Sequence, residues 1–175
     1  MAHIEIIMGS MFSGKSTELL RRCRKYASIQ KHIMLINHSL DTRCNNQLKT
    51  HDNVVMDATK TNKLCNLDID SRTDIIAIDE AQFFDDLYEF VLLHERKDLV
   101  ILIAGLDGDS NRDIFGQIIK CIPLCNSVTK LTAMCSICKD GTAGVFSKRF
   151  MKSTEKVCIG AHNEFASVCR KHFFL

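Results

Sequence analysis

Residues 9–16 read GSMFSGKS, and this octapeptide constrains the fold more than any other stretch of the chain. It matches the pattern G-x-x-x-x-G-K-[ST], in which the backbone N–H groups of a tight loop and the start of the following helix surround a phosphate group. An apolar run precedes it and helix-forming residues follow it, so the pattern falls between a predicted strand and a predicted helix. The predicted phosphate-binding residues are Gly9, Ser10, Met11, Phe12, Ser13, Gly14, Lys15 and Ser16.

Short apolar runs recur along the first 134 residues and alternate with segments of helix-forming character. Such continuous runs are typical of parallel strands that are buried on both faces, with helices covering the sheet. The pattern predicts an α/β fold of the phosphate-loop, RecA-like kind. The predicted strands are 3–8, 33–37, 74–78, 99–104 and 128–133, the predicted helices are 16–30 and 83–94, and a long polar loop is predicted for 38–53.

Two adjacent carboxylates, Asp79 and Glu80, follow the apolar run 74–78. Ligand sites of open α/β sheets gather at the carboxyl ends of the strands. An acidic residue there is the usual partner of the loop hydroxyl, here Ser16, in holding Mg²⁺. Successive strand residues point to opposite faces, so one carboxylate can hold Mg²⁺ while the other accepts a proton. Spacing alone does not decide which carboxylate has which role.

Two cysteine-containing pairs mark the C-terminal part of the chain. Cys135 and Cys138 form C-x₂-C, and Cys169 and His172 form C-x₂-H. Four such donors make the closed ligand set of a structural Zn²⁺ site. The strand–helix rhythm ends near residue 134. The predicted domains are a phosphate-loop α/β domain at 1–134 and a small zinc-binding lid domain at 135–175.

Composition narrows the class of protein. The chain has 175 residues, a net charge of +2 and nine cysteines. The six cysteines outside the zinc pairs are interpreted as core or surface thiols: Cys23, Cys44, Cys65, Cys121, Cys125 and Cys158. The odd cysteine count and the lack of a leader-like N-terminus indicate a reducing, cytoplasmic protein. No apolar stretch reaches the ~20 residues of a membrane span, so we expect no membrane partner. The near-neutral charge argues against a general nucleic-acid-binding surface.

Several motifs occur in a characteristic order: GSMFSGKSTELLRR, LDTR, THD, IDEAQFF, LDGD, FSKR and SVCRKH. Together they resemble the thymidine kinase family of animal cytosol, bacteria and large DNA viruses, and the poxvirus members in particular. The likeness covers nearly the whole chain, and IDEAQFF with the zinc pairs is far more specific than the phosphate loop. The resemblance implies transfer of the γ-phosphate of ATP to the 5′-hydroxyl of thymidine or deoxyuridine, with Mg²⁺ bound to ATP and a structural Zn²⁺.

The resemblance also implies roles for individual residues. Glu80 is expected to be the general base, Asp79 and Asp41 to lie at the magnesium with Ser16, and Arg43 to lie beside the phosphates. The expected nucleoside-binding residues are Met11, Phe83, Leu106, Phe115 and Phe165. Family members are commonly homotetramers that are inhibited by the end-product triphosphate, which for this chain would be dTTP.

Three departures from the family pattern concern the base and the metal. Ser110 stands where many members have an aromatic residue, His172 replaces the more frequent fourth cysteine, and the stretch KDGTAGVFSKR is slightly longer than usual. Two other functions stay open: a zinc-containing ATPase that acts on nucleic acid, and a non-catalytic nucleotide-binding module. Formation of ADP that depends on a nucleoside and ignores DNA would separate the kinase from both.

Overall fold

A computed structural model of the chain describes residues 1–41, 47–49, 55–150 and 164–175. The strands are β1 His3–Gly9, β2 Ile33–His38, β3 Gln47–Lys49, β4 Val55–Asp57, β5 Thr59–Thr61, β6 Ile75–Asp79, β7 Val100–Gly105, β8 Ser127–Leu131, β9 Ala133–Met134, β10 Ala143–Gly144, β11 Phe146–Arg149 and β12 Phe165–Val168. The α-helices are α1 Lys15–Ala27, α2 Leu87–His94 and α3 Arg170–Phe173, and 3-10 helices lie at Ala81–Phe83 and Ile118–Leu124.

Six strands form one parallel sheet in the order β5-β2-β6-β7-β1-β8. Ile6 of β1 lies between Ile103 of β7 and Val128 of β8, which fixes the register at the centre of the strand. Because the strands are parallel, the carboxyl ends of β1, β2 and β6 meet along one edge of the sheet. This edge carries the loop after β1 and the acidic pair at the end of β6.

The two faces of the sheet have separate apolar cores, because successive side chains of a strand point in opposite directions. Ile6 packs in the core that includes Phe90 of α2, whereas its neighbour Ile7 packs in the core that includes Leu19 of α1. None of these four side chains has exposed area. Helices therefore cover both faces, and the predicted α/β architecture is confirmed.

Several predicted boundaries are wrong in detail. The predicted polar loop 38–53 contains β3, which pairs antiparallel with β4. The predicted helix 83–94 is a 3-10 turn at Ala81–Phe83 followed by α2, which begins only at Leu87. The predicted strand 128–133 divides into β8 and β9, and the first helix ends at Ala27. Strands β4 and β5 have only three residues each, so they are too short to show the apolar run that marks a buried strand.

After β8, the described strands form two short antiparallel pairs that are separate from the six-stranded sheet. Strand β9 pairs with β10, and β11 pairs with β12. A small separate core contains Cys135, Val168 and Cys169, with Phe146 and Phe173 packed against it. Strand β9 begins at Ala133, and the division into two domains at residue 134 stays a prediction. No helix within the described ranges is long and apolar enough to cross a membrane.

Candidate active site and metal centre

The loop between β1 and α1 turns sharply at two glycines. Gly9 has a φ of +152°, and a Cβ atom there would lie 2.1 Å from the carbonyl oxygen of Leu131 in β8. Gly14 has a φ of +81° and is the N-cap residue of α1. A side chain is disfavoured at both positions, by contact at Gly9 and by conformation at Gly14. The loop can therefore curl tightly and leave the first N–H groups of α1 available for an anion.

Lys15 and Ser16 begin α1 and lie at the acidic edge of the sheet. Ser16 Oγ donates a hydrogen bond of 2.8 Å to Oδ2 of Asp79, and Lys15 Nζ donates one of 2.7 Å to the carbonyl oxygen of Ser10. Asp79 is the last residue of β6 and is 1% exposed. The structure thus brings together the loop hydroxyl and the carboxylate that were predicted to hold Mg²⁺. Both groups offer oxygen, the ligand atom that Mg²⁺ prefers, so this pair fits the ion.

Glu80 follows β6 directly and turns away from the strand direction. Its φ of 51° and ψ of 39° lie in the left-handed region, which is uncommon for a residue with a side chain. Its Oε2 accepts a hydrogen bond of 2.6 Å from Nε2 of Gln82. The two carboxylates therefore have different surroundings, as predicted: Asp79 contacts the phosphate loop, and Glu80 contacts Gln82.

Asp41 lies at the same edge of the sheet. Its Oδ2 accepts a hydrogen bond of 2.8 Å from Nδ2 of Asn37, and its carbonyl oxygen accepts one from Lys60. Asn37 is the register partner of Asp79 across β2 and β6, which places it between the two acidic residues. Sequence reasoning missed Asn37, because a single asparagine at a strand end forms no motif. Arg43, predicted to lie beside the phosphates, is outside the described residues.

Three of the predicted nucleoside-binding residues gather near the ends of β6 and β7. The rings of Phe83 and Phe115 meet edge to face, with centroids 5.6 Å apart and planes at 88°. The backbone N–H of Leu106 donates a hydrogen bond of 2.9 Å to Oε1 of Gln82, the residue before Phe83. Gln82 therefore joins these three pocket residues to Glu80. It was not predicted as a site residue.

The other two predicted pocket residues lie beside the β11–β12 hairpin. The N–H of Met11 donates a hydrogen bond of 2.9 Å to Oγ of Ser147, and its carbonyl oxygen accepts one from Oγ of Ser167. These two serines are buried and are paired across the hairpin. Phe165 is on the same strand as Ser167, and its ring centroid lies 5.4 Å from the guanidinium carbon of Arg149. The hairpin thus holds the backbone of the phosphate loop at Met11.

His38 is a buried aromatic residue at the end of β2 that sequence reasoning missed. Its ring centroid lies 5.6 Å from that of Phe83 and 4.7 Å from that of Phe84. Its Nδ1 accepts a hydrogen bond of 3.1 Å from the N–H of Leu40. Burial lowers the pKa of His38, and nearby carboxylates oppose this only in part. The ring is therefore uncharged at neutral pH. It packs against the ring of Phe83 as an aromatic group.

Cys135, Cys138, Cys169 and His172 form a compact cluster in which all four donor atoms lie within 4.8 Å of one another. The two sulfur atoms of Cys138 and Cys169 are 3.7 Å apart, and Nδ1 of His172 lies 3.2 Å, 3.4 Å and 3.7 Å from the three sulfur atoms. Tetrahedral Zn²⁺, with bonds of about 2.3 Å to sulfur and about 2.1 Å to nitrogen, needs donor atoms roughly 3.5–3.8 Å apart. The predicted ligands are therefore together, and their spacing fits a closed Zn²⁺ site.

Other cysteines differ clearly from the cluster. Cys23 and Cys121 are in the apolar cores of the sheet, where burial raises the pKa of their thiols to about 12 and about 11. Such thiols stay protonated and are poor nucleophiles. The interpretation of these two as core residues is confirmed, whereas Cys44 and Cys158 lie outside the described residues.

The fold and the site define a class: an α/β phosphate-loop protein with a cysteine–histidine cluster that could hold a metal ion. The profile of the family described as thymidine kinase matches residues 2–173. The chain belongs to the thymidine kinase family.

Individual relatives agree with this assignment. The thymidine kinase of Vaccinia virus (strain Ankara) is 43% identical over 171 residues, which cover 97% of this chain and 95% of the relative. The thymidine kinases of Raccoon poxvirus and Monkeypox virus are 44% and 42% identical over the same shares of each chain. The likeness to poxvirus members that the motifs indicated is confirmed.

Proposed function

We propose that the protein is an ATP-dependent thymidine kinase, which transfers the γ-phosphate of ATP to the 5′-hydroxyl of thymidine or deoxyuridine. The observation that carries the proposal is the 2.8 Å hydrogen bond from Ser16 Oγ to Asp79 Oδ2, with Glu80 as the next residue. It joins a phosphate-loop hydroxyl and a strand-end carboxylate next to a second carboxylate, in a chain of the thymidine kinase family. The product monophosphate would serve DNA precursor synthesis.

The ATP phosphates would be bound by the loop 9–16. Its N–H groups and Lys15 Nζ would contact the β- and γ-phosphates, so Lys15 would exchange the carbonyl oxygen of Ser10, its 2.7 Å acceptor, for a phosphate oxygen. Ser16 and Asp79, with Asp41, would hold Mg²⁺. When bound, that ion neutralises charge on the phosphates during transfer. Arg43 would add a further positive charge.

Glu80 would act as the general base. Its carboxylate would take the proton of the 5′-hydroxyl while that oxygen forms a bond to the γ-phosphorus. The bond from this phosphorus to the bridging oxygen breaks at the same time, and its electron pair leaves with ADP. The left-handed backbone of Glu80 supports this role, because such strain recurs at functional positions and turns this side chain away from Asp79.

The acceptor nucleoside would occupy the space near the aromatic pair of Phe83 and Phe115. Aromatic rings such as these would stack on, or meet edge to face with, a flat base. Leu106, Met11 and Phe165 would complete the pocket. We propose that residues 135–175 act as a lid domain over the domain 1–134, which would exclude water as a competing acceptor.

The metal site would be structural. A set of three thiolates and one imidazole fills all four positions of Zn²⁺ and leaves none for a substrate. The ion would tie β9, β12 and α3 together, and through Ser147 and Ser167 it would support Met11. We further propose a cytoplasmic homotetramer that dTTP inhibits, as in other members of the family. The reaction needs neither nucleic acid nor a membrane.

The test is to incubate the protein with Mg-ATP and each of the four deoxynucleosides and to follow monophosphate formation. Product from thymidine, alone or with deoxyuridine, is expected. Glu80→Gln should bind ATP normally and turn over roughly 10²–10⁴-fold more slowly. Glu89→Gln, an exposed glutamate in α2, is the matched control and should behave as the wild type. ATP hydrolysis that responds to DNA and not to a nucleoside would overturn the proposal.

A further inference from the structure

Gln82 is a buried amide that bridges two parts of the candidate site. It lies in the 3-10 helix Ala81–Phe83 and is 3% exposed. Its Oε1 accepts the N–H of Leu106 at 2.9 Å, and its Nε2 donates to Oε2 of Glu80 at 2.6 Å. Because the backbone N–H of Leu106 can only donate, it requires the amide oxygen on that side. The amide NH₂ group must then face the carboxylate of Glu80.

Two glycines leave room for this arrangement. A Cβ atom on Gly105 would lie 2.5 Å from Oε1 of Gln82, and one on Gly116 would lie 2.2 Å from its carbonyl oxygen. Real Cβ atoms do not approach that closely, so a larger residue at either position would push Gln82 away. Gly105 ends β7, and Gly116 follows the pocket residue Phe115. The segment after β7 is therefore shaped around Gln82.

The backbone conformation of Glu80 explains why its hydrogen bond with Gln82 matters. A left-handed conformation is unfavourable for a residue with a side chain, and it persists only where the surroundings enforce it. A hydrogen bond to a carboxylate is stronger than one between neutral groups. The amide of Gln82 thus fixes the carboxylate at a position that the free backbone would seldom adopt.

We propose that Gln82 is a positioning residue for phosphoryl transfer: it orients the Glu80 carboxylate and sets its distance from the nucleoside pocket through Leu106. The inference rests on the proposed function, in which Glu80 is the base. Gln82 itself need not touch the substrate. Its two hydrogen bonds have separate consequences, because the bond to Glu80 affects turnover and the bond to Leu106 affects nucleoside binding.

Two substitutions separate the bonds. Gln82→Met keeps the length and loses both bonds, so kcat should fall roughly 10- to 100-fold and the KM for thymidine should rise about 3- to 10-fold. Gln82→Glu keeps the acceptor for Leu106, so the KM for thymidine should stay near that of the wild type. The new carboxyl group can donate to Glu80 only while it is protonated. The kcat of Gln82→Glu relative to that of the wild type should therefore fall as the pH rises.

Other titratable groups around Glu80 do not disturb this comparison. In the described residues these include Asp79 on β6, His38 on β2 and the carboxylates of Asp85 and Asp86 beside His38. They are present in the wild type and in every variant, so none of them is a new source of pH dependence. Gln82→Met adds no titratable group, so its kcat relative to wild type should not fall as the pH rises.

Gln117 provides a matched control. Its amide also bridges two parts of the chain, accepting the N–H of Tyr88 at 2.8 Å and donating to the carbonyl oxygen of Asp85, both backbone groups. Gln117→Met should lower the stability of the fold. It should not change kcat and the KM for thymidine independently of each other. Melting temperature and zinc content, measured for every variant, show whether each one is folded.

A double-mutant cycle decides whether Gln82 acts through Glu80. If it does, Gln82→Met should cause no further loss of kcat in the Glu80→Gln background, while it still raises the KM for thymidine. An equal loss of kcat in both backgrounds would overturn the positioning role and leave the proposed function intact. Near-normal turnover of Glu80→Gln alone would instead overturn the assignment of the base, so the two failures are distinguishable.

Discussion

The guanidinium carbon of Arg112 lies 4.5 Å from the ring centroid of Phe173, and 4.8 Å from that of Phe174. Arg112 is at the tip of the segment after β7, in a left-handed conformation with a φ of 71°. The carboxylate of Asp109 shapes this tip by accepting the N–H groups of Asn111 and Asp113. Since Phe173 follows His172, a proposed zinc ligand, the contact connects the segment after β7 to the cysteine–histidine cluster.

Replacing Arg112 should weaken nucleoside binding without removing the metal. A cation–π contact at an exposed site contributes about 0.5–1 kcal/mol, so Arg112→Met should raise the KM for thymidine about 2- to 5-fold. Arg112→Lys keeps the charge and should restore part of the loss. Arg72→Met, which removes an exposed ion pair with Asp70 away from the site, is the control. An unchanged KM for thymidine in Arg112→Met would show that the segment after β7 keeps its conformation without this contact.

Ser167 should matter for ATP, although it is 156 residues from its partner Met11 in the sequence. Ser167→Ala leaves the carbonyl oxygen of Met11 without this donor, and loss of a buried hydrogen bond costs about 1–3 kcal/mol. We expect a lower melting temperature and an increase of several-fold in the KM for ATP, with the zinc content unchanged. Ser127→Ala, an exposed serine of β8, should leave both values unchanged. A loss of stability with normal ATP kinetics would limit Ser167 to a structural role.

The site residues that the sequence predicted are those with local signals. Lys15 lies in an octapeptide whose spacing is set by the shape of a phosphate, and Cys135 lies in a pair whose spacing is set by a metal ion. Asp79 was predictable because an apolar strand precedes it and parallel strands end at one edge. In each case one short segment contains the whole pattern.

The residues that the sequence did not indicate depend on distant contacts. Gln82 bonds to Leu106, 24 residues away, and nothing in IDEAQFF shows that the amide would face Glu80. Arg112 belongs to no motif, and only the folded chain places Phe173 of α3 beside it. The strand β3 was missed for a similar reason, because three residues form a strand only through pairing with β4.

Gly116 should be intolerant of a side chain for two separable reasons. Its φ is +67°, and a Cβ atom would lie 2.2 Å from the carbonyl oxygen of Gln82. Gly141 has a similarly positive φ of +92° but no atom within 4 Å of a Cβ, so it isolates the conformational cost. Gly141→Ala should cost about 1 kcal/mol of unfolding free energy, and Gly116→Ala clearly more. Urea unfolding measures both, and equal losses would mean that Gln82 moves aside freely.

The acid stability of the first helix should depend on Glu18. The hydrogen bond from Arg21 lowers the pKa of Glu18 from 4.5 to about 2, with help from Arg22 and partial opposition from burial. A depressed pKa means that the carboxylate stabilises the fold above pH 4.5 and loses this contribution as the pH falls toward 2. Arg22 also bonds to Glu5 of β1 and to Thr129 of β8, so the network joins α1 to the sheet.

Glu18→Gln should therefore lower the unfolding free energy by about 1 kcal/mol at pH 7, a value reduced from the full pKa shift because the ion pairs are partly exposed to solvent. The difference from wild type should shrink as the pH falls below 4.5, since the unfolded state then takes up a proton at Glu18 while the folded state stays charged down to a pKa of about 2. Urea unfolding at several pH values between 7 and 3 measures this, with Glu89→Gln of α2 as a control that should show no difference. A deficit that stays constant over this range would mean that Glu18 acts through packing and not through its charge.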